Sequence, residues 1–310
     1  MKRNTFLIAI SASILSLLIA SCDQPQKKDK RSEQKITGIA INIENDDITE
    51  SEFDQLTDAE KTELMTKDAP AEGLSQFAYE DLEMPAEIKG GREAIFMKTQ
   101  FTVSYNSKTR CPNYVCWHLS SDRTYGDMQR PDEFVPDPTL SGSLQVQSFD
   151  YSGSGYDRGH MCPAGDNKNS TQAMNESFFM TNICPQNHDL NKGDWNDLEM
   201  LCREWARDYG DLYICCGPIF DSDNPKTIGR RKKVQIAVPD RFFKVVLFMG
   251  KQPRAIGFIF PNDGKSRPLR SYAVSVDKVE HITGFDFYPI LEDDIEDKVE
   301  AECKPSAWNF

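Results

Sequence analysis

The stretch YDRGHMCPAGD, residues 156–166, sets an aspartate, an arginine, a glycine and a histidine side by side, and Cys-Pro follows within two residues. A histidine near neutral pH can take a proton from water when an acceptor orients its other ring nitrogen. Such a base also needs an electrophile and groups that absorb developing negative charge. His160 is therefore a candidate general base, and a structural histidine is the alternative.

A candidate metal site follows 31 residues downstream, in the stretch DLNKGDWNDLE at residues 189–199. Asn191 falls at or just before the start of a predicted helix, and Glu199 lies about two turns further along. Residues eight apart on a helix occupy neighbouring faces, so an amide oxygen and a carboxylate can face one site. These oxygens suit a hard, largely hydrated cation such as Mg²⁺. The alternative for Asn191 is a simple turn or capping residue.

The chain of 310 residues is 39% hydrophobic, which is enough for a sizeable core. Its net charge of −13 is unevenly distributed. Residues 226–254 hold nine basic residues and one acidic residue, including the run GRRKK, whereas residues 292–302 form an acidic tail. The basic segment is a candidate contact for phosphates, and a solvated surface loop is the alternative.

The first 22 residues have the pattern of an export signal. A short basic start precedes a fifteen-residue apolar run, which is too short for a membrane span and ends in Ile-Ala-Ser-Cys. This ending predicts a bacterial lipoprotein signal with Cys22 as the lipidation site. The mature protein is then a membrane-anchored lipoprotein of the cell envelope, outside the cytoplasm. An ordinary signal peptide cleaved near Ser21 is the alternative.

Residues 23–82 read as an acidic polar spacer, largely disordered, with at most one short helix over residues 58–66. Residues 23–92 contain 18 acidic and nine basic residues and few large apolar ones. A small folded subdomain is the alternative. Residues 83–310 have the character of a single globular domain.

The globular part predicts an α+β domain with a mostly antiparallel sheet. Apolar residues at helical spacing predict one helix from Trp195 to Tyr209, with Asp194 as its N-cap. A second helix is expected around residues 169–176. The strands are predicted at residues 96–105, 114–119, 212–216, 234–238, 242–248, 255–260 and 272–276.

Export would permit disulfides among the eight cysteines other than Cys22. Eight cysteines allow 105 pairings, and the sequence selects none of them. A zinc site from Cys162, Cys184 and His188 lacks a compact CxxC pair, so a disulfide or simple packing is favoured. The tandem pair at residues 215–216 should point to opposite faces of a strand, with at most one side chain in the core.

Three motifs occur in order: DRGH at residues 157–160, TNICPQ at 181–186 and LNKGDWNDLE at 190–199. Together they resemble the DNA/RNA non-specific endonuclease family, and the likeness extends over residues 83–310. The resemblance implies a ββα-metal nuclease fold with a mostly antiparallel central sheet and flanking helices. It also implies that DNA and RNA are the substrates.

The resemblance assigns roles to individual residues. His160 would be the general base that activates water, and Asn191 the direct protein ligand of Mg²⁺, with Mn²⁺ as an alternative ion. Glu199 would hold a metal-bound water. Arg158 and Arg130 would contact phosphate and so count as both catalytic and substrate-binding residues.

Other residues near the motifs are expected to support the site. Asn182 would orient it from nearby, and Gly159 would let the backbone approach the substrate closely. Asp157 is expected to brace its loop. Arg130 is preferred to Arg123 because it begins the pattern RPDEFVPD at residues 130–137. The remaining histidines are expected to be structural or exposed, namely His118, His188 and His281.

These observations predict an Mg²⁺-dependent endonuclease of the cell envelope that cuts DNA and RNA with little base preference. One alternative is a nucleic-acid-binding module that has kept the fold and lost catalysis. Another is a phosphodiesterase narrowed to RNA or to nucleotides. The same catalytic residues would serve the favoured function and the narrowed enzyme.

Overall fold

The computed structural model describes residues 81–88 and 93–310. The predicted signal, the lipidation site at Cys22 and the spacer up to residue 80 lie outside these residues. Leu82, which the predicted boundary leaves in the spacer, is fully buried in a core, so the packed domain includes it. Within the two described ranges, no helix has both the length and the apolar character needed to cross a membrane.

The described residues form eleven strands, which fall into one large sheet and two small ribbons. Their bounds are β1 (Ala94–Met97), β2 (Thr102–Asn106), β3 (Cys111–Leu119), β4 (Asp157–His160), β5 (Ile183–Gln186), β6 (Leu212–Ile219), β7 (Thr227–Ile228), β8 (Ile236–Ala237), β9 (Arg241–Phe248), β10 (Arg254–Pro261) and β11 (Ala273–Val274).

The large sheet has seven strands in the order β1-β2-β3-β6-β9-β10-β11, and every neighbouring pair is antiparallel. Strands β4 and β5 form a separate antiparallel ribbon, and β7 pairs with β8. The prediction of an α+β domain with a mostly antiparallel sheet is confirmed.

Three predicted strands differ in detail. The run at residues 96–105 is a hairpin of β1 and β2, with Lys98 N donating to Phe101 O at 2.8 Å in the turn. The strands predicted at 234–238 and 272–276 shorten to two residues each, as β8 and β11. At residue 234 the backbone N–H bonds to Arg231 O within a turn, so it cannot extend a ladder.

Five α-helices complete the described residues: α1 (Thr171–Ser177), α2 (His188–Lys192), α3 (Asp194–Asp208), α4 (Val276–Thr283) and α5 (Asp293–Ala301). The predicted long helix is confirmed as α3, and the helix around residues 169–176 as α1. The short helix α2 was not predicted. It places Asn191 within its own turn rather than at the start of α3.

The expected N-cap role of Asp194 is wrong. Gly193 is the N-cap of α3, and Asp194 is the first helical residue. Its carboxylate instead accepts hydrogen bonds from Ser266 Oγ at 2.8 Å, Arg267 N at 2.8 Å and Tyr272 OH at 2.5 Å. Asp194 therefore fastens the start of α3 to a segment more than 70 residues downstream.

Both faces of the large sheet are covered. Side chains alternate along a strand, and one face packs against α3 while the other packs against α4 and α5. Cys215 and Cys216 do point to opposite faces, but each is fully buried in its own core. The expectation that at most one of them faces the core is wrong, because the sheet has a core on each side.

Candidate active site

The β4–β5 ribbon presents the DRGH motif. His160 ends β4 and is paired with Ile183 of β5. A Cβ at Gly159 would lie 2.6 Å from Gln186 Cβ across the ribbon, so glycine is required for close strand packing. The expectation that Gly159 also lets the backbone approach the substrate stays a prediction.

Asn182 holds the backbone that follows His160. Its Oδ1 accepts from Cys162 N at 2.9 Å, and its Nδ2 donates to Cys162 O and Ser177 O at 2.8 Å each. Asn182 is fully buried, and its backbone oxygen accepts from Met161 N. Its contacts are those of a residue that positions the histidine loop rather than one that touches substrate.

The imidazole of His160 sits in an aromatic setting. Its ring centroid lies 5.1 Å from that of Phe134 and 4.9 Å from that of Phe178. Burial, with a further contribution from the Arg130 charge, lowers the pKa of His160 to about 3. Its Nε2 is buried without a hydrogen-bond partner among the described residues. His160 is therefore neutral near pH 7 and able to accept a proton.

Asp157 orients the amide of Asn191. Asn191 Nδ2 donates to Asp157 Oδ2 at 3.0 Å, and His188 Nδ1 lies 2.9 Å from the same oxygen. A carboxylate only accepts, so the hydrogen bond fixes which end of the amide is nitrogen. The amide oxygen of Asn191 is left for another partner. The bracing role expected for Asp157 thus extends to the candidate metal ligand.

One face of α3 supplies the opposite wall. Asn196, Glu199 and Arg203 are spaced by three and four residues, so they lie along a single helix face. Burial raises the pKa of Glu199 to about 7, although the charges of Lys244 and Arg203 act in the other direction. An incompletely compensated carboxylate therefore faces the site.

Two of the three arginines considered near the site point toward it. Arg130 is exposed, with Cζ 5.4 Å from the centroid of the Phe178 ring. Arg158 donates from Nη2 to Ser148 O at 2.6 Å. Arg123, by contrast, is buried and donates to Asp166 O and to Asn167 Oδ1. The geometry favours Arg130 over Arg123 for contact with substrate.

These groups converge on one pocket of about 420 Å³. It brings together five of the six predicted catalytic and metal residues, and Asn182 lies behind the wall. The lining residues are Arg130, Phe134, Asp157, Arg158, His160, Pro163, Ala164, Gly165, Asn191, Asn196, Glu199 and Arg203.

Sequence reasoning missed two charged residues at this site. Arg203 donates from Nη1 to the buried Asp166 at 2.8 Å and lines the pocket. Lys244 is 1% exposed, with Nζ 4.3 Å from the centroid of the Trp195 ring. Two signals could have revealed them: the i, i+4 spacing of Arg203 from Glu199, and a single lysine within the apolar strand RFFKVVLF.

The donor set fits a hydrated divalent cation. The free amide oxygen of Asn191 and the carboxylate of Glu199 are hard oxygen ligands. The raised pKa of Glu199 indicates a partly buried acid that a nearby cation would stabilise in its charged form. The alternative zinc set receives no support, since Cys162 and Cys184 are buried and His188 is largely exposed beside Asp157.

The other histidines lie away from the pocket lining. His118 lies 3.3 Å from Asp211 and stacks on Tyr213. His281 is exposed on α4. Their expected structural or exposed character agrees with these positions. His188 is exposed as expected, and it also contacts Asp157 of the pocket lining.

The chain and its fold have clear counterparts among known proteins. The family model described as DNA/RNA non-specific endonuclease matches residues 83–294. The mitochondrial nuclease EXOG of Mus musculus is 33% identical over 271 residues, which cover 83% of this chain and 72% of that protein. A nuclease of Nostoc sp. is 34% identical over 220 residues, covering 67% of this chain and 78% of that protein.

A solved structure of the EndoG/EndoGI complex, titled for the mechanism of EndoG inhibition, is also similar. It matches with a TM-score of 0.60 and 26% identity, over 65% of this chain and 88% of that chain. The chain belongs to the DNA/RNA non-specific endonuclease family. It has the ββα-metal nuclease fold of an enzyme that hydrolyses phosphodiester bonds.

Proposed function

We propose that the protein is a divalent-metal-dependent endonuclease of the cell envelope that cuts DNA and RNA with little sequence preference. The observation that carries this proposal is the single pocket shared by His160, Asn191, Glu199 and three arginines. A neutral imidazole, hard oxygen ligands and guanidinium groups are the parts that phosphodiester hydrolysis requires.

His160 is proposed to remove the proton from the attacking water. Its low pKa keeps the imidazole neutral, so the base form is present throughout the neutral range. The water oxygen then bonds to phosphorus as the phosphorus–3′-oxygen bond breaks. The water proton is held on the imidazole, and the 3′-oxygen leaves with the bonding electron pair and takes a proton from solvent water. Burial makes His160 a weak base in the free pocket, and the negative charge of a bound phosphodiester would raise its proton affinity.

The arginines are proposed to hold the substrate phosphate. Arg130 is exposed at the rim, whereas Arg158 and Arg203 are held by Ser148 O and Asp166. Guanidinium groups match the geometry of phosphate oxygens and carry no base preference. Contacts to the phosphates of the nucleic acid alone would make cleavage insensitive to base sequence and to whether the sugar is ribose or deoxyribose.

Mg²⁺ is the proposed ion, with Mn²⁺ as a substitute. Asn191 would be its direct ligand, and Glu199 would hold one of its waters. When bound, the ion would neutralise charge on the scissile phosphate and on the leaving oxygen. Asp157 would keep the Asn191 oxygen directed to the ion, and Asn182 would keep His160 in register with it.

The location of the enzyme is a separate proposal. The basic start, the apolar run and the Ile-Ala-Ser-Cys ending of residues 1–22 support lipidation at Cys22 and a membrane anchor outside the cytoplasm. The acidic stretch over residues 23–80 would then serve as a spacer between anchor and nuclease domain, since Leu82 is already part of the packed core. The EXOG relative is named as mitochondrial, so the proposed location is supported by residues 1–22 of this chain and not by that relative.

The test is a cleavage assay on supercoiled plasmid, linear duplex DNA, single-stranded DNA and RNA, with Mg²⁺, Mn²⁺ or excess EDTA. The proposal expects relaxation of the plasmid and degradation of all four substrates with metal, and no cleavage in EDTA. Cleavage of RNA alone would favour the narrowed phosphodiesterase. Binding without cleavage under every metal condition would favour the silent binding module.

A further inference from the structure

A group of carboxylates lies on the face of the sheet opposite the nuclease pocket. Asp277 and Glu280 come from α4, and Glu300 comes from α5. One ligand oxygen from each residue lies within 4.8 Å of the others. The helices pack over the core that contains Val279 and Val299, so the group sits at a fixed junction.

Glu300 is the unusual member of this group. It is only 6% exposed, and its Oε1 is buried without a hydrogen-bond partner among the described residues. Burying a carboxylate without a partner is costly, so a native structure normally supplies a donor or a cation. Within the described residues, no ion pair links Asp277, Glu280 or Glu300 to a basic side chain.

Neighbouring acidic side chains add negative charge around Glu300. Burial is the largest cause that raises the pKa of Glu300 to about 9, and the next are the charges of Glu280, Glu296 and Asp277. Each of these contributions opposes ionisation. Glu280 is already held in place, because its Oε1 accepts from Phe287 N at 2.7 Å.

A buried tyrosine belongs to the core beneath the same two helices. Tyr288 is 1% exposed, and its hydroxyl has no hydrogen-bond partner among the described residues. Its backbone has φ of 53°, a left-handed conformation that bulky residues rarely adopt. Burial, followed by the charges of Cys215, Glu300 and Glu280, raises the pKa of Tyr288. Glu300 and Tyr288 are therefore two buried polar groups on this side of the sheet that lack partners among the described residues.

We propose that Asp277, Glu280 and Glu300 bind a structural Ca²⁺ ion between α4 and α5, separately from the metal of the nuclease pocket. Calcium takes six to eight oxygen ligands at about 2.3–2.6 Å, so ligand oxygens around one ion are up to roughly 5 Å apart. The spacing of the three carboxylates fits this span. Waters would fill the exposed side, where Asp277 lies.

The chemistry favours Ca²⁺ over other common ions. Mg²⁺ prefers near-ideal octahedral geometry at about 2.0–2.1 Å and retains most of its waters, so an all-carboxylate cage suits it poorly. Zinc favours cysteine and histidine ligands, and none belongs to this group. The site has no part in hydrolysis on this proposal, because the sheet separates it from His160.

The experiment is a Ca²⁺ titration of the purified protein, followed by thermal unfolding and by isothermal titration calorimetry. We expect one binding site and a rise in Tm of about 5 °C at roughly 10 mM Ca²⁺, for an affinity typical of extracellular calcium modules. Glu300→Gln keeps the shape of the side chain and should lose both responses. Asp277→Asn, at an exposed ligand, should weaken binding without risk to folding.

Two controls separate this site from other effects. Asp297→Asn removes one charge from the exposed face of α5 and should respond to Ca²⁺ like the wild type. Asn191→Ala, in the nuclease pocket, should also retain the Ca²⁺-dependent rise in Tm. A wild-type Tm that Ca²⁺ leaves unchanged would overturn the proposal, as would an equal response in Glu300→Gln. In either case Glu300 would be a buried neutral acid.

Discussion

Asn191 donates a hydrogen bond from Nδ2 to Asp157 Oδ2 over 3.0 Å. This bond joins the first residue of the DRGH motif to the candidate metal ligand, across two elements 34 residues apart in sequence. It explains why the motif begins with an acid. Asp157 directs the amide of Asn191, so the orientation of the proposed metal ligand depends on a residue that is not itself proposed to bind the ion.

The Asn191 contact leads to the first prediction. Asn191→Ala should remove most nuclease activity, because the ion is no longer held at the scissile phosphate. It should cost about 0.5–1.5 kcal/mol of stability, the net value of one hydrogen bond.

Asp157→Ala should retain more activity than Asn191→Ala but need more Mg²⁺ for half-maximal cleavage. Metal titrations of cleavage check both variants, and His188→Ala, which removes the exposed second partner of Asp157, is the matched control.

His160 is the second test. His160→Ala should lower the cleavage rate by at least about 10²-fold, the low end of what a positioned general base contributes. The measurement is the rate on duplex DNA at saturating Mg²⁺, with Tm recorded to show that the variant is folded. A folded His160→Ala enzyme with near-normal turnover would remove the general-base role.

The burial of His160 also predicts how stability depends on pH. Its pKa is about 3 in the folded protein and near 6.5 when unfolded, so between these values the unfolded chain binds the extra proton. The contribution of this group to stability is therefore fully present above pH 6.5 and is lost as pH falls toward 3. Tm measured from pH 7 to pH 4 should fall less steeply for His160→Gln than for the wild type. Parallel curves would contradict the assignment.

Glu199 should matter less than Asn191. Glu199→Ala should reduce the cleavage rate, and raised Mg²⁺ should restore part of it, because on our proposal this residue acts through a metal-bound water. Metal titrations of the two variants side by side provide the measurement. The order of severity would be disproved if Glu199→Ala lost all activity at every Mg²⁺ concentration while Asn191→Ala retained some.

The proposed lipid anchor is tested by a substitution at Cys22. Cys22→Ala should release the protein from the membrane fraction or block its processing, because no thiol remains for the lipid. Fractionation and immunoblotting of wild type and Cys22→Ala show this directly. A serine-to-alanine change at Ser21 keeps a small residue and should leave the anchoring intact. Membrane association of Cys22→Ala in the mature wild-type form would exclude the anchor.

The sequence predicted the parts of the site that local patterns carry. DRGH and the helix after it identified His160, Asn191 and Glu199, and the structure brings these residues into one pocket. Asn191 and Glu199 lie on separate helices divided by Gly193, and not on the single helix that their eight-residue spacing predicts. Gly193 interrupts the helical backbone with φ of −101° and ψ of −114°, and a periodic pattern of apolar side chains does not record such a break.

The residues that the sequence missed depend on distant partners. Lys244 reads as an interruption of an apolar strand until the fold sets its ammonium group against Trp195. Asp194 stands where an N-cap is expected, at the start of a helix. Its actual partners, at residues 266–272, lie too far along the chain to be seen in the local sequence. A side chain whose partner lies 49 or more residues away carries little sign of it in the local sequence.

Strand β6 is buried on both faces, and this determines where the chain can accept insertions or deletions. Inserting or deleting one residue within the strand would send every following side chain to the opposite face, so both cores would lose their packing at once. Cys215 and Cys216 would then exchange environments. Natural or engineered variation in length should therefore be confined to surface connections, such as the exposed turn at residues 221–224 between β6 and β7.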